Sequence, residues 1–172
     1  MENIKQTSTT KENSTTDTQN CILSSQSSWD SHRSTTLHSP TRHYGRRMKL
    51  NCRHGYNLAI LPDGTVSSSD DSSNKFCILE FTSMFPGHVR IKGVEANLYL
   101  AMNKQSKLYG EPNPTKNSTI FIEQPEGPYS AYLSLKYQRK KWYVAIKKNG
   151  KIKLGTLTRR GQNATHFLPV TV

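Results

Sequence analysis

The residues of this sequence that are best suited to chemistry are the cations near its C-terminal end. Ten Lys and Arg lie between Lys136 and Arg160, and no Asp or Glu follows Glu126. Because these like charges repel one another, a polyanion would stabilise the segment; nucleic acid, anionic lipid and sulfated glycan all have the required charge. The alternative is that the cations are solvated surface residues without a ligand.

A tight Lys-Lys-Asn-Gly turn at 147–150 concentrates several of these cations. A hairpin and the loop after it can gather them on one face, where Lys supplies point charges and Arg supplies planar donors to sulfate groups. Amide side chains near the turn can complete the hydrogen bonding. Binding should weaken as the salt concentration rises, because bound counterions are released. The predicted anion-binding residues are Lys147, Lys148, Asn149, Lys151, Lys153, Arg159, Arg160 and Gln162.

No other kind of chemistry is indicated. The six His are scattered, the three Cys form no CxxC pair, and no HExxH, GxSxG or glycine-rich phosphate loop occurs. Trp142 and Tyr143 lie among the cations, but they fit an alternating strand better than a platform for stacked bases. We therefore predict no catalytic residues, no bound metal, no cofactor and no nucleic-acid partner.

The secondary structure around the cations is predicted to consist of short strands. From Leu50 to Val172 the apolar stretches are short and rich in β-branched and aromatic residues. Several of them, such as 88–92 and 119–123, alternate apolar and polar residues, which is typical of half-buried strands. No amphipathic helical stripe is present, so the sequence predicts an all-β domain.

A threefold repeat organises these strands. Three similar apolar tripeptides begin 42 and 44 residues apart: Leu-Ala-Ile at 58–60, Leu-Ala-Met at 100–102 and Val-Ala-Ile at 144–146. Each is followed by a tight turn and another short strand, although the middle turn lacks the glycine that favours positive φ. Three units of four strands predict a β-trefoil of twelve strands: a six-stranded barrel capped by three hairpins. Three propeller blades would be too few to close.

The N-terminal part has a different composition. Residues 1–47 contain eighteen Ser and Thr and few apolar residues, which predicts a disordered tail ahead of a domain at 48–172. The first thirty residues lack the apolar core of a cleavable signal peptide, and no stretch is long and apolar enough to insert into a membrane.

Several runs together resemble one family, the fibroblast growth factors. They occur in order, without large insertions, and cover about 120 of the 172 residues: LNC at 50–52, LAILPDGTV at 58–66, IKGVE at 91–95, LYLAMN at 98–103, LYG at 108–110, WYVAIKKNG at 142–150 and HFLP at 166–169. The fold of that family is the β-trefoil, in agreement with the repeat.

The resemblance implies two binding surfaces. In the family the Lys-Lys-Asn-Gly turn and the basic loop after it bind heparan sulfate, which acts as a co-ligand. Some members carry Arg where this sequence has Leu154 and Leu157, and many carry a receptor-contacting Tyr where it has Asn51. Family receptor contacts combine apolar anchors with one carboxylate, and the matching residues here are Glu123, Tyr129, Leu168 and Val170.

Two functions are consistent with this resemblance. The first is an extracellular signal, monomeric when free, that binds heparan sulfate proteoglycan and the immunoglobulin-like domains of a growth factor receptor tyrosine kinase. It would promote receptor dimerisation and activation, and hence cell proliferation and differentiation. Export would be leaderless or would use a non-cleaved signal, with the cytoplasm and nucleus as other locations. The alternative is an intracellular family member that modulates channels as a partner-binding module and activates no receptor.

Overall fold

The computed structural model describes residues 45–172, so all but the last three residues of the predicted tail lie outside the described part. The domain boundary at 48 therefore stays a prediction. The described residues form ten strands and several short 3-10 turns: β1 (Arg47–Cys52), β2 (Asn57–Ile60), β3 (Val66–Ser69), β4 (Leu79–Phe85), β5 (His88–Gly93), β6 (Leu98–Met102), β7 (Leu108–Glu111), β8 (Ile120–Glu126), β9 (Tyr129–Ser134) and β10 (Phe167–Thr171).

Six of these strands close into a barrel. β1 pairs with β4, β4 with β5, β5 with β8, β8 with β9, β9 with β10, and β10 returns to β1, all antiparallel. The first and last strands of the fold are thus neighbours, with Leu50 opposite Pro169. Closure leaves none of the six with an unpaired edge. The structure confirms the predicted all-β trefoil with its six-stranded barrel.

Two hairpins lie outside the barrel ring. β2 pairs with β3, and β6 pairs with β7. In the second hairpin, Ser106 adopts φ 63° in the turn that lacks glycine. The side-chain oxygen of Asn103 accepts the backbone N–H groups of Gln105 and Lys107, at 3.0 and 2.9 Å, and so supports this turn.

The third hairpin differs from the prediction of twelve strands. Between 142 and 153 the chain makes only isolated bridges, Leu133 to Tyr143 and Ile146 to Ile152. A side chain interrupts the ladder, because the Tyr143 N–H donates to the Thr158 hydroxyl at 2.9 Å instead of to a neighbouring strand. The described residues therefore contain ten regular strands, although the threefold plan is kept.

The core fills the barrel and extends beneath the hairpins. It contains the inward residues of all six barrel strands, including Leu50, Phe81, Phe121, Tyr132 and Phe167. A second, smaller cluster of Ala131, Leu133 and Tyr143 attaches the 142–146 segment to β9. Burying each large side chain contributes roughly 1.5–3 kcal/mol. We call the segment at 142–153, with the lysines at its turn, the basic hairpin. The packing of Tyr143 fixes the start of this hairpin relative to the barrel.

Candidate anion-binding site and partner surface

The basic hairpin presents its lysines on one face. Ile146 and Ile152 pair across the hairpin and pack toward the core. Side chains alternate along extended chain, so Lys147, Lys151 and Lys153 lie on the other face. The backbone N–H of Lys147 donates to the Lys151 carbonyl at 2.8 Å, which sets the two residues opposite each other.

Gly150 closes the turn. It has φ +84°, which favours glycine, and an added Cβ would lie 2.8 Å from the Tyr56 ring. The Ser68 hydroxyl donates to the Gly150 carbonyl. The turn is therefore supported by the β2–β3 hairpin, and Lys148 lies exposed within it. No local sequence signal could have predicted this support, since Ser68 lies 82 residues before Gly150.

The loop at 158–162, which contains Arg159 and Arg160, is connected to the basic hairpin through Gln162. Its side-chain oxygen accepts from the Lys153 ammonium at 3.2 Å and from the Arg159 backbone N–H at 3.1 Å. The structure thus brings the Lys153 ammonium and the Arg159 backbone together at the base of the hairpin. Neither residue forms an ion pair among residues 45–172.

Two amide side chains of the site use their oxygens within the protein. The Asn149 oxygen accepts the backbone N–H of Lys151 at 3.1 Å, just as the Gln162 oxygen accepts from Lys153 and Arg159. The part of each amide that remains for a ligand is its NH₂ group, which is a donor. Sulfate oxygens are acceptors, so the arrangement is complementary to them.

Arg160 has a different environment from the other predicted residues. Its Nε donates to the Glu126 carboxylate at 2.5 Å, and this hydrogen bond raises the pKa of Arg160. The last acidic residue of the chain therefore compensates one of the ten C-terminal cations. The pairing spans 34 residues, so the sequence could not show it.

Three of the four predicted receptor residues lie on the outer surface of neighbouring barrel strands. Leu168 and Val170 alternate with the buried Phe167 on β10 and are 42% and 43% exposed. Tyr129 on β9 stacks on the buried His166 ring with 5.5 Å between centroids, and the Arg53 guanidinium lies 5.4 Å from the Tyr129 centroid. The stack holds Tyr129 in one orientation.

Glu123 does not share that face. It pairs with Tyr132 across β8 and β9 and accepts the Tyr132 hydroxyl hydrogen bond at 3.0 Å. Because Tyr132 belongs to the barrel core, Glu123 lies at the end of the barrel and is half-buried. The structure therefore separates the carboxylate from the outer apolar anchors.

Two other kinds of feature are absent from the described residues. Within 45–172 no three potential metal ligands cluster, and no helix is long and apolar enough to cross a membrane.

The comparisons with known proteins agree with this architecture. Residues 46–168 match the family model described as fibroblast growth factor. A relative named fibroblast growth factor 1, from Cynops pyrrhogaster, is 40% identical over 134 residues, covering 77% of this chain and 90% of its own. The fibroblast growth factor 1 of Xenopus laevis is 37% identical over 132 residues, covering 76% and 85%. A relative from Danio rerio is 43% identical over 132 residues, covering 76% and 88%. This chain belongs to the fibroblast growth factor family.

Proposed function

We propose that this protein is an extracellular growth factor ligand that binds heparan sulfate and the immunoglobulin-like domains of a receptor tyrosine kinase. Family membership supports a growth factor ligand rather than an enzyme. The basic hairpin supports the proposal of glycan binding, because it sets Lys147, Lys151 and Lys153 on one face with amide donors beside them.

The glycan is recognised by charge and by hydrogen-bond polarity. Lysine ammonium groups and the Arg159 guanidinium supply charge-assisted donors to sulfate, while Asn149 and Gln162 add neutral donors. No carboxylate belongs to this set, because Glu126, the last residue of β8, is paired with Arg160. A neutral sugar would leave the cations without counter-charges, so the site should bind sulfated glycans in preference to neutral ones.

The receptor surface consists of exposed apolar anchors and one carboxylate. Leu168 and Val170 can enter a pocket of the partner, and Tyr129 is already ordered by its stack on His166. An aromatic side chain that is ordered before binding loses less conformational entropy on association. Glu123, at the end of the barrel, would accept hydrogen bonds from the receptor.

Signalling requires no chemistry by the ligand itself. The glycan positions the ligand, two ligand–receptor pairs come together, and the receptor kinases phosphorylate each other in trans. The free protein is a monomer in this proposal.

Heparin chromatography tests the glycan part. The Lys147→Ala/Lys148→Ala/Arg159→Ala variant should elute at a clearly lower salt concentration than the wild type, because three uncompensated cations are lost. A Lys49→Ala/Lys92→Ala/Lys104→Ala variant removes the same number of unpaired cations outside the hairpin and should elute close to the wild type. Equal elution of both variants would remove the assignment.

Receptor phosphorylation in responsive cells, with and without heparin, tests the signalling part. Wild-type protein should induce phosphorylation that heparin increases, and Leu168→Ala should reduce it because an exposed anchor is lost. Ser83→Ala, a change of an exposed residue on β4, is the control and should act as the wild type. No phosphorylation by correctly folded protein would favour the intracellular, channel-modulating alternative.

A further inference from the structure

A second group of cations lies outside the predicted anion site. It consists of Lys136, Arg139, Lys140 and Lys141, and all four are exposed. Lys140 is held against an aromatic pair: Tyr137 and Trp142 have centroids 4.8 Å apart, and the Lys140 ammonium lies 4.6 Å from the Trp142 centroid. The Lys136 ammonium lies 5.6 Å from the Tyr137 centroid. We call these four residues the second cation group.

An aromatic ring orients a cation without neutralising it. Ring quadrupoles attract Lys but carry no net charge, whereas Glu126 and Glu111 do compensate Arg160 and Lys116. Among residues 45–172 three ion pairs occur, and none includes a member of the second cation group. The group therefore keeps its positive charge available to a ligand.

The turn that carries the group is ordered by its own hydrogen bonds. The backbone N–H of Lys140 donates to Tyr137 O at 2.9 Å, and that of Lys141 donates to Gln138 O at 3.1 Å. Lys141 adopts φ 56°, which is a costly conformation for a residue with a side chain. A turn kept in this conformation presents its cations in a fixed arrangement.

The second cation group lies close to the basic hairpin. A Cβ added at Gly155 would meet the Trp142 Cβ at 2.9 Å, so the backbone of the 154–157 loop lies directly against Trp142. Gly155 follows Lys153 by two residues, and Trp142 follows Lys140 by two residues. These connections keep the Cα atoms of Lys153 and Lys140 within about 20 Å of each other.

The loop between the two groups carries no charge. Leu154 and Leu157 are apolar residues of this loop and are 43% and 55% exposed. Arg160, at the far end of the loop, is paired with Glu126. The cationic surface therefore has two parts, the basic hairpin and the second cation group, and the uncharged 154–157 loop contacts Trp142 between them.

We propose that one heparan sulfate chain binds both parts, crossing the 154–157 loop from the basic hairpin to the second cation group. This proposal rests on the proposed function, and it adds a dependence of affinity on glycan length. A short oligosaccharide binds the hairpin only, whereas a long chain gains the contacts of Arg139 and Lys140. The gain is electrostatic, so it disappears at high salt.

Titration with a heparin tetrasaccharide and with full-length heparin tests the proposal. Arg139→Gln/Lys140→Gln should bind the tetrasaccharide as the wild type does and bind full-length heparin about three- to tenfold more weakly, as expected for two exposed ion pairs. The salt dependence for full-length heparin should become shallower. The single variant Lys140→Arg keeps a cation over the Trp142 ring, so it should bind full-length heparin with the wild-type affinity.

The matched control removes two cations elsewhere. Lys92→Gln/Lys104→Gln removes two cations that form no ion pair among residues 45–172. It also takes a lysine from an aromatic ring, since the Lys92 ammonium lies 5.7 Å from the Tyr99 centroid. It should bind both glycans as the wild type does. If Arg139→Gln/Lys140→Gln binds full-length heparin with unchanged affinity and salt dependence, the second cation group is not part of the site. If the Lys147, Lys148 and Arg159 variant binds the tetrasaccharide normally, the proposed function itself fails.

Discussion

At the scale of single residues, the neighbours of each cation decide whether it is available to a ligand. The Lys153 ammonium contacts the neutral Gln162 amide, and neither Lys153 nor Arg159 forms an ion pair among the described residues. Arg160, directly after Arg159, donates to Glu126 instead. Two adjacent arginines thus have different electrostatic roles.

Removing the acid should therefore strengthen glycan binding. Glu126→Gln releases Arg160 and raises the net charge, so we expect elution from heparin at a modestly higher salt concentration than the wild type. Glu95→Gln is the control, because it releases Lys75 from an equivalent exposed ion pair that lies outside the site. An increase of the same size in both variants would indicate a general effect of net charge.

A second acid supports the fold. Glu111 is 4% exposed, and burial alone would raise the pKa of its carboxyl. Hydrogen bonds from Lys116, from the Asn113 backbone and from Tyr109 outweigh burial and hold that pKa below its usual value. The folded state therefore favours the ionised form.

Stability should follow this pKa as the pH falls. The Glu111 contribution is present above the unfolded pKa of about 4.3 and is lost as the pH falls through the lower folded pKa. Urea denaturation should show Glu111→Gln less stable than the wild type by about 1–3 kcal/mol at pH 7, with a smaller difference near pH 3. Glu95→Gln, at an exposed ion pair, should change little at either pH. A difference between Glu111→Gln and the wild type that does not depend on pH would contradict the role of the carboxylate.

At the scale of elements, the basic hairpin depends on contacts with another hairpin. Gly150 has both a positive φ and the Tyr56 ring within reach of a Cβ, whereas Gly161 has a similar φ, +83°, with open space around it. The two glycines separate the cost of backbone conformation from the cost of a steric clash.

Alanine at each glycine should give different results. Gly161→Ala should lose about 1–2 kcal/mol of stability, the cost of a left-handed backbone. Gly150→Ala should lose more, because Tyr56 must also move, and the displaced turn should weaken heparin binding. Thermal unfolding and heparin elution measure the two effects. Equal losses of stability would show that the Tyr56 contact is unimportant.

Local patterns predicted much of this architecture. The Asp-Gly turn after 58–60 and the Asn-Gly turn after 144–146 predict hairpins, because the conformation of such a turn depends on residues only a few positions apart. The repeat predicted the barrel, yet it also predicted two regular strands between 142 and 153, where only isolated bridges form and the Tyr143 N–H donates to the Thr158 hydroxyl. Contacts between distant residues were not predictable: Arg160 with Glu126, Ser68 with Gly150, and Tyr132 with Glu123.

At the scale of the whole molecule, the charge distribution links the proposed glycan binding to stability. The chain carries a net charge of +12, and among the described residues Arg160 is the one C-terminal cation that forms an ion pair, with Glu126. Repulsion among the C-terminal cations opposes folding, and a bound polyanion removes part of it.

Heparin should therefore raise the unfolding temperature. A ligand at 100 times its Kd stabilises a folded protein by about 2.7 kcal/mol, and the effect should shrink as salt rises. Differential scanning calorimetry at two salt concentrations, with unsulfated heparosan as the control, measures this. Equal stabilisation by heparosan would show that sulfate groups are not what the cations bind.

Pairing of β1 with β10 has a consequence for biosynthesis. The strand that completes the ring, Phe167–Thr171, lies more than a hundred residues after Arg47–Cys52 in the sequence. A ribosome delivers the N-terminal strand early, and that strand must wait for nearly the entire domain before one of its two barrel neighbours exists. The nascent chain consequently emerges with its barrel open, and folding is completed only after translation of the final strand.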